Sequence, residues 1–405
     1  MNFSVLHIST SDSGGAGLGM MRLHQSLLEI GIDSKVLVFY KESDQSSVIQ
    51  YAQPRRFKGE KRLMKYGLYR RSYLSIKKEY DKVLNSHNVF YTLPVSQFDV
   101  ERHPLVKSSD IIHLHWIANF VNFTNFFKEC LKPIIWTVRD ENPFLGGYHF
   151  RNAIISGDRE LDNFEKKLVD LKVESISKNR NLTFVSLSES MKKFGKSFLW
   201  TNKYEHCVIP NSVNFKNFFP VDKNCAKRIF NLPDDKIILS FVSLFLNDKR
   251  KGLTELMTAF EKLNHKSKFH LLIAGKNDNI CIPTSENVTY VGEIKDTKLL
   301  SIFLSASDYY VNPSFAESFG KTTTEALACG VPVVSFPNYG SLDIINEQNG
   351  LITKDFTVEA LIEGIEKIQK KTFNQQTIIN DLFQRYSPEK IAKDYLTLYN
   401  SKLIQ

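Results

Sequence analysis

Apolar and polar positions follow a repeating rhythm along this chain: a short apolar run, a turn rich in Gly, Ser, Asn or charge, then apolar residues at helical spacing. The rhythm starts at once. Residues 3–9 predict a strand, residues 10–17 (TSDSGGAG) a Gly-rich turn, and Leu18, Met21, Leu23, Leu27 and Leu28 the inner face of a helix. Further strands are predicted at 35–40, 110–116, 134–138 and 182–187, and helices at 119–130, 162–178 and 188–197. Phe120, Phe123, Phe126 and Phe127 recur at helical spacing, as expected of a core face. Residues 207–211 close this half, and 212–223, broken by Pro220, reads as a linker.

The second half restarts the alternation. Strands are predicted at 236–242, 269–274, 288–291 and 333–336, helices at 253–263 and 295–306, a turn at 338–341, and helices through 358–403. Strands alternating with helices imply parallel sheets, whose ligands meet the loops at the strands' carboxyl ends. His113, His115, Arg139, Asp140 and His149 are expected on such loops in the first half. Arg250 and Lys251 stand at a strand-to-helix turn in the second, where they would neutralise phosphate or form an ordinary basic loop.

The stretch 312–332, NPSFAESFGKTTTEALACGVP, concentrates the candidate chemistry. Tyr309, Tyr310 and Val311 suit a buried strand, Pro313 ends it, and Gly330 with Pro332 stops the helix that follows. Glu317 falls just before that helix and Glu325 within it, a spacing of roughly 12 Å along a helix axis and about 80° around it. Both could line one elongated groove. Gly320 opens the helix, whose N-terminus carries unpaired N–H groups and partial positive charge. The set suits a ligand with hydroxyls at both ends and phosphate between; the pair taken alone reads rather as two solvated glutamates on a surface helix.

Composition narrows the class. At 405 residues, with 42% hydrophobic and 24% charged, the chain can build two cores of about 200 residues each. The opening residues MNFSVLHIST lack a basic region followed by an apolar one, and the longest apolar run, near 237–246, is strand-sized, so neither a signal peptide nor a membrane span is expected. Five cysteines without a CxxC pair indicate neither a disulfide framework nor zinc, and point to a reducing cytoplasm. The net charge of +9 is concentrated in residues 55–82, with eleven Lys and Arg against three acids, interleaved with Phe57, Tyr66, Tyr69 and Tyr73. That segment suits an anionic membrane surface or a solvated basic helix. Nucleic acid is not expected, because no reader motif accompanies the charge. A nicotinamide enzyme is disfavoured as well: from Gly15 and Gly17 the third fingerprint position is Met20, and the strand at 35–40 ends without a ribose-binding acid.

With these residues in view, the chain resembles the retaining glycosyltransferases of family 4. The resemblance rests on Glu317-Ser-Phe-Gly-Lys-Thr-Thr-Thr-Glu325, which fits an E-x7-E pattern, with Gly14-Gly15-Ala16, Val208-Ile-Pro-Asn211, Arg250-Lys251-Gly252 and Asn287-Val-Thr-Tyr-Val-Gly292 in support. His113-Leu-His-Trp116, Trp136-Thr-Val-Arg-Asp140 and Gly146-Gly147-Tyr148-His149 look like a subgroup that builds surface and exopolysaccharides. The resemblance implies an α/β fold of GT-B architecture, two Rossmann-like domains facing each other across a cleft. The domains would be an acceptor domain at 1–210, a nucleotide-sugar donor domain at 211–387, and a helix at 388–405 returning toward the first. It implies that Glu317 holds donor-sugar hydroxyls, that Glu325 holds the ribose, and that Arg250 and Lys251 neutralise the leaving diphosphate with help from the N–H groups of Gly14, Gly15 and the helix starting at Gly320, with Phe319 also binding the donor. Gly292 would border the base, no metal or other cofactor would be needed, and His113, His115 and Asp140 would line the cleft. Arg139, counted with His149 among the catalytic residues, stands where the family usually has His, a role that His149 or the pair His113 and His115 would take over. The expected enzyme is cytoplasmic, peripheral at the inner membrane face through 55–82, and transfers sugar to a glycan or lipid-linked acceptor. The alternative is a catalytically silent nucleotide-sugar-binding or scaffold protein of the same fold.

Overall fold

A computed structural model describes residues 3–52, 71–84, 87, 89–155, 157–277, 282 and 285–404. The chain divides into two compact units: unit one is Met1–Leu187, Met191–Ile209 and Ala392–Gln405, and unit two is Ser188–Ser190 and Pro210–Ile391. Each unit holds a fully parallel sheet with helical crossovers, the Rossmann-like pattern.

In unit one the strands are β1 (Ser4–Ser11), β2 (Asp33–Tyr40), β3 (Val48–Gln50), β4 (Ile111–Leu114), β5 (Ile134–Val138), β6 (Leu182–Ser186) and β7 (Glu205–Val208), in the order β3-β2-β1-β4-β5-β6-β7. The central strands are mostly apolar because helices cover both faces, and β4, β5 and β6 are buried at every position. Chain direction reverses its sideways progress between β1 and β4, where His7 pairs in register with His113. In unit two the strands are β8 (Ile237–Phe245), β9 (Phe269–Lys276), β10 (Val288–Tyr290), β11 (Tyr309–Asn312), β12 (Val333–Ser335) and β13 (Gly350–Ile352), in the order β10-β9-β8-β11-β12-β13. The equivalent switch lies between β8 and β11. Its core joins Leu239, Phe241, Leu271, Ile273 and Val311 of the sheet to Leu256, Phe260, Leu361 and Ile365 of two helices.

Several elements differ from the sequence expectation. The helix expected at 119–130 is confined to Phe123–Glu129. Asn119 sits at φ 57°, and its side-chain oxygen accepts from the Leu93 amide at 3.0 Å, so the backbone there is a turn. Phe120 is nonetheless fully buried. The strand expected at 110–116 ends at Leu114, so His113 lies inside the strand rather than on the loop. The turn expected at 338–341 opens the helix Tyr339–Ile344, with the Asn338 side chain capping the Ser341 amide. Of the basic segment 55–82, only the helix Arg71–Leu84 overlaps the described residues; 53–70 lie outside them.

Leu271 is fully buried at the centre of the second core. Leu271→Ala is expected to lower stability by about 2–5 kcal/mol. The 84%-exposed Leu131, replaced by Ala, should change it by no more than about 0.5 kcal/mol. Urea unfolding followed by circular dichroism distinguishes the two.

Candidate active site

In unit two the site is built by the two loops that diverge at the switch point. After β8 the chain makes a tight turn over Lys249–Lys251 that ends in Gly252, at φ 72°. A side chain at Gly252 would run into the Pro313 carbonyl oxygen, so glycine lets this turn press against the loop after β11. The Phe315 amide ties the loops together by donating to the Arg250 carbonyl at 2.8 Å. Across this junction the Lys251 ammonium lies 2.5 Å from Glu317 Oε1, the two side chains 27% and 15% exposed. Arg250 forks onto Asp248, with Nε 3.1 Å from Oδ1 and NH2 2.6 Å from Oδ2.

Behind Glu317 the chain reaches Gly320, at φ 89°, which begins the helix Lys321–Ala328. Glu317 therefore stands outside the helix, and the loop rather than helical rise sets its distance from Glu325. The Glu317 carbonyl accepts from the Gly340 amide at 3.0 Å, and any side chain at Gly340 would collide with Phe319. Phe319 is buried edge-on against Tyr386. The polar Thr run in the helix has a structural cause. Thr322 accepts from the buried Tyr310 hydroxyl at 2.8 Å, Thr323 from the Asn312 side chain at 3.0 Å, and Thr324 bonds back to the Lys321 carbonyl. These bonds satisfy buried groups at the end of β11. Glu325 is almost wholly buried, with Lys321 Nζ at 3.6 Å from Oε1. Gly292, at φ 80°, follows β10, and its carbonyl accepts from the Gly275 amide at 2.9 Å. The structure thus brings Arg250, Lys251 and Glu317 together on touching loops, with Phe319 and Gly320 leading into the adjoining helix and Glu325 inside it.

In unit one, Gly14 and Gly15 are exposed in the first turn of the helix Gly14–Glu29, with no side chain over them. Asp12 fixes the preceding turn by accepting from the Glu42 and Ser43 amides and the Ser43 hydroxyl. Its carboxyl is held below the usual range; burial opposes that shift and the Ser43 and Glu42 bonds overcome it.

A second group lies beyond β4 and β5. Asp140 Oδ2 accepts from Trp116 Nε1 at 2.9 Å and meets His149 Nδ1 at 2.6 Å, while the Asn142 amide donates to Oδ1. His149 Nε2 lies 3.0 Å from the Thr92 hydroxyl, so both its ring nitrogens are engaged, and the ring is buried. Phe90, 63% exposed, lies over His149 at 4.5 Å between centroids. Arg139 is partly exposed and its NH2 lies 2.9 Å from His115 Nδ1; burial brings its pKa down to about 10.

His113 was expected to line a cleft, but its ring is fully buried between the Tyr399 hydroxyl (Nδ1, 2.7 Å) and the Thr137 hydroxyl (Nε2, 2.7 Å). Strand register places it in the core. Burial, foremost, holds His7, His113 and His115 far below the ordinary imidazole pKa, and the nearby Arg139 adds to it. His7, His113 and His115 are also the group among the described residues whose donor atoms approach within 4.8 Å of one another.

The loop that bears His149 is held by two residues the sequence reading overlooked. Glu165 takes the Gly146 and Gly147 amides and the Tyr91 hydroxyl. Lys172 donates to the carbonyls of Asn142 at 2.6 Å and Leu145 at 2.7 Å, and burial lowers its pKa to about 7. The available clue was periodicity, since Lys172 occupies an inward position of the stripe Leu161, Phe164, Leu168 and Ile176.

Comparison with known proteins bears on these loops directly. Residues 222–381 match the family model for glycosyl transferases group 1. The matched region lies wholly within unit two and includes Arg250, Lys251, Glu317 and Glu325. An uncharacterized glycosyltransferase of Methanocaldococcus jannaschii is 26% identical over 73% of this chain and 76% of its own length. The capsular polysaccharide biosynthesis glycosyltransferase CapM of Staphylococcus aureus is 24% identical over 48% of this chain and 53% of its own. Anabaena HepE, solved with UDP and glucose, shares the fold across 99% of this chain and 100% of its own, with a TM-score of 0.63 and 13% identity.

Buried neutral imidazoles have a thermodynamic consequence. His7, His113 and His115 have folded pKa values below the unfolded 6.5, so the unfolded chain binds more protons beneath that pH. Stability is therefore greatest above about pH 6.5 and falls as the medium is acidified, by up to about 1.4 kcal/mol per pH unit for each such ring. Unfolding midpoints taken from about pH 7.5 to about pH 5 should decline; a flat profile would mean that these rings are charged or accessible.

Proposed function

We propose that this chain is a retaining, metal-independent glycosyltransferase that moves a sugar from a nucleotide sugar to a glycan or lipid-linked acceptor in surface polysaccharide synthesis. The observation that carries the reading is the Lys251–Glu317 contact at the unit-two switch point, with Arg250 on the same turn. Cations on a strand-to-helix turn suit a leaving diphosphate, whose charge grows as the glycosidic bond breaks. A carboxylate beside them suits sugar hydroxyls, and an arriving diphosphate would compete with Glu317 for the ammonium. Glu325, one helical segment on, is suited to a ribose. In unit one, Arg139, Asp140 and His149 provide a polar group at the strand ends that is suited to the acceptor. The similarity to CapM supports a surface-polysaccharide role, and the UDP in the HepE structure supports a nucleotide donor.

Calorimetry against UDP-, GDP- and ADP-sugars, followed by transfer assays with the best binder, identifies the donor. Glu317→Gln and Lys251→Ala are each expected to cost about 100-fold or more in kcat with the unfolding midpoint nearly unchanged. EDTA should leave the rate intact, and the product should keep the donor's anomeric configuration by NMR. Full activity in either variant rejects the site.

We also propose that residues 55–82 bring the enzyme to anionic lipid. Co-sedimentation with phosphatidylglycerol vesicles should weaken with salt and with Lys and Arg neutralised in that segment. Unchanged binding rejects the role.

A further inference from the structure

We propose that His115 and His7 are positioning residues that aim the Arg139 guanidinium through a hydrogen-bond relay of fixed tautomers. The proposal rests on the reading of unit one's polar group as part of a transferase. A guanidinium only donates, so the Arg139 NH2 contact at 2.9 Å requires a bare His115 Nδ1. The His115 proton is then on Nε2, which lies 2.9 Å from His7 Nδ1 and donates to it. That leaves the His7 proton on Nε2, a buried atom with no hydrogen-bond partner. The direction of the whole relay is thus set by the cation at its outer end. A stranded buried N–H is uncommon, and here it is the cost of keeping two acceptors in line toward Arg139.

The surroundings hold the relay neutral and still. His7 faces His24 of the helix Gly14–Glu29, His113 of β4, and His115. His113 stacks on His115 at 4.1 Å between centroids and is itself tied to Tyr399 and Thr137, with Tyr395 of the helix Pro388–Leu403 bonding Thr137. The Trp136 indole donates to the His115 carbonyl and fixes the backbone. Asp140, next to Arg139, has Oδ2 occupied by Trp116 and His149, so the relay supplies an anchor that this carboxylate oxygen does not.

The three rings could instead be read as a cation site. Against this, both His113 nitrogens are already bonded, and a cation would lie beside a fixed guanidinium within the same buried cluster.

The test uses the full chain labelled with 15N-histidine. Long-range proton–nitrogen spectra near pH 7 should show His115 and His7 as Nε2–H tautomers, and Arg139→Leu should shift both while leaving His270 in unit two unmoved. An Nδ1–H tautomer at either ring, or signals indifferent to Arg139→Leu, overturns the proposal. So does added Zn²⁺ that moves all three rings and raises the unfolding midpoint. In transfer assays His115→Leu should lower kcat by roughly 10- to 100-fold, toward the level of Arg139→Leu, with donor KM little changed. His115→Asn, whose side-chain oxygen can accept near the Nδ1 position, should restore most of the loss; an Asn variant as impaired as Leu also overturns it. The tautomers of the wild-type chain decide the matter if His115→Leu fails to fold. If the wild type transfers no sugar, the kinetic arm fails with the functional reading, while the spectra still decide the relay.

Discussion

Parallel pairing is the constraint on which both units depend. A strand that lies parallel to its neighbour must return across a face of the sheet, so each connection is a helix-bearing crossover and every strand tip of one kind ends on the same edge. Where the order of strands reverses, consecutive crossovers go to opposite faces and their loops part. In unit two that parting falls between β8 and β11, and the chain places Lys251 on one lip and Glu317 on the other. In unit one it falls between β1 and β4, beside Gly14 and His115.

The two polar groups handle charge in opposite ways. Unit two sets a cation against an anion, both partly exposed. Unit one buries the imidazoles of His7, His113 and His115, whose pKa burial lowers, beside the Arg139 guanidinium. The first arrangement suits a ligand that brings its own charge. The second suits a charge that must be held in one direction.

Much of the fold was legible because buried parallel strands are continuous apolar runs and their crossovers have helical periodicity. The strand, loop and helix around Glu317 could be read from Tyr309, Pro313, Gly320 and Gly330 alone. Short edge strands such as β3 and β13 left no such trace, since three residues carry too little pattern. Asn119 broke a helix whose Phe spacing had implied a longer one, because a left-handed backbone is local and leaves periodicity intact. Residue types at the site were legible, whereas their depth was not. His113 and His115, two apart in sequence, are both buried, the first bonded to Tyr399 and Thr137 and the second to Arg139. The Thr run looked poor for a helix until Tyr310 and Asn312 were found bonded to it, a long-range cause that no local rule contains.

Unit one is not continuous in the chain. Its sheet is complete by Val208, yet Tyr395 and Tyr399, which close over Thr137 and His113, come from a helix made only after all of unit two. The cover over Thr137 and His113 therefore depends on a segment that follows unit two in the chain. The polar group in unit one is thereby completed by a segment that its own sheet reaches only across the whole of unit two.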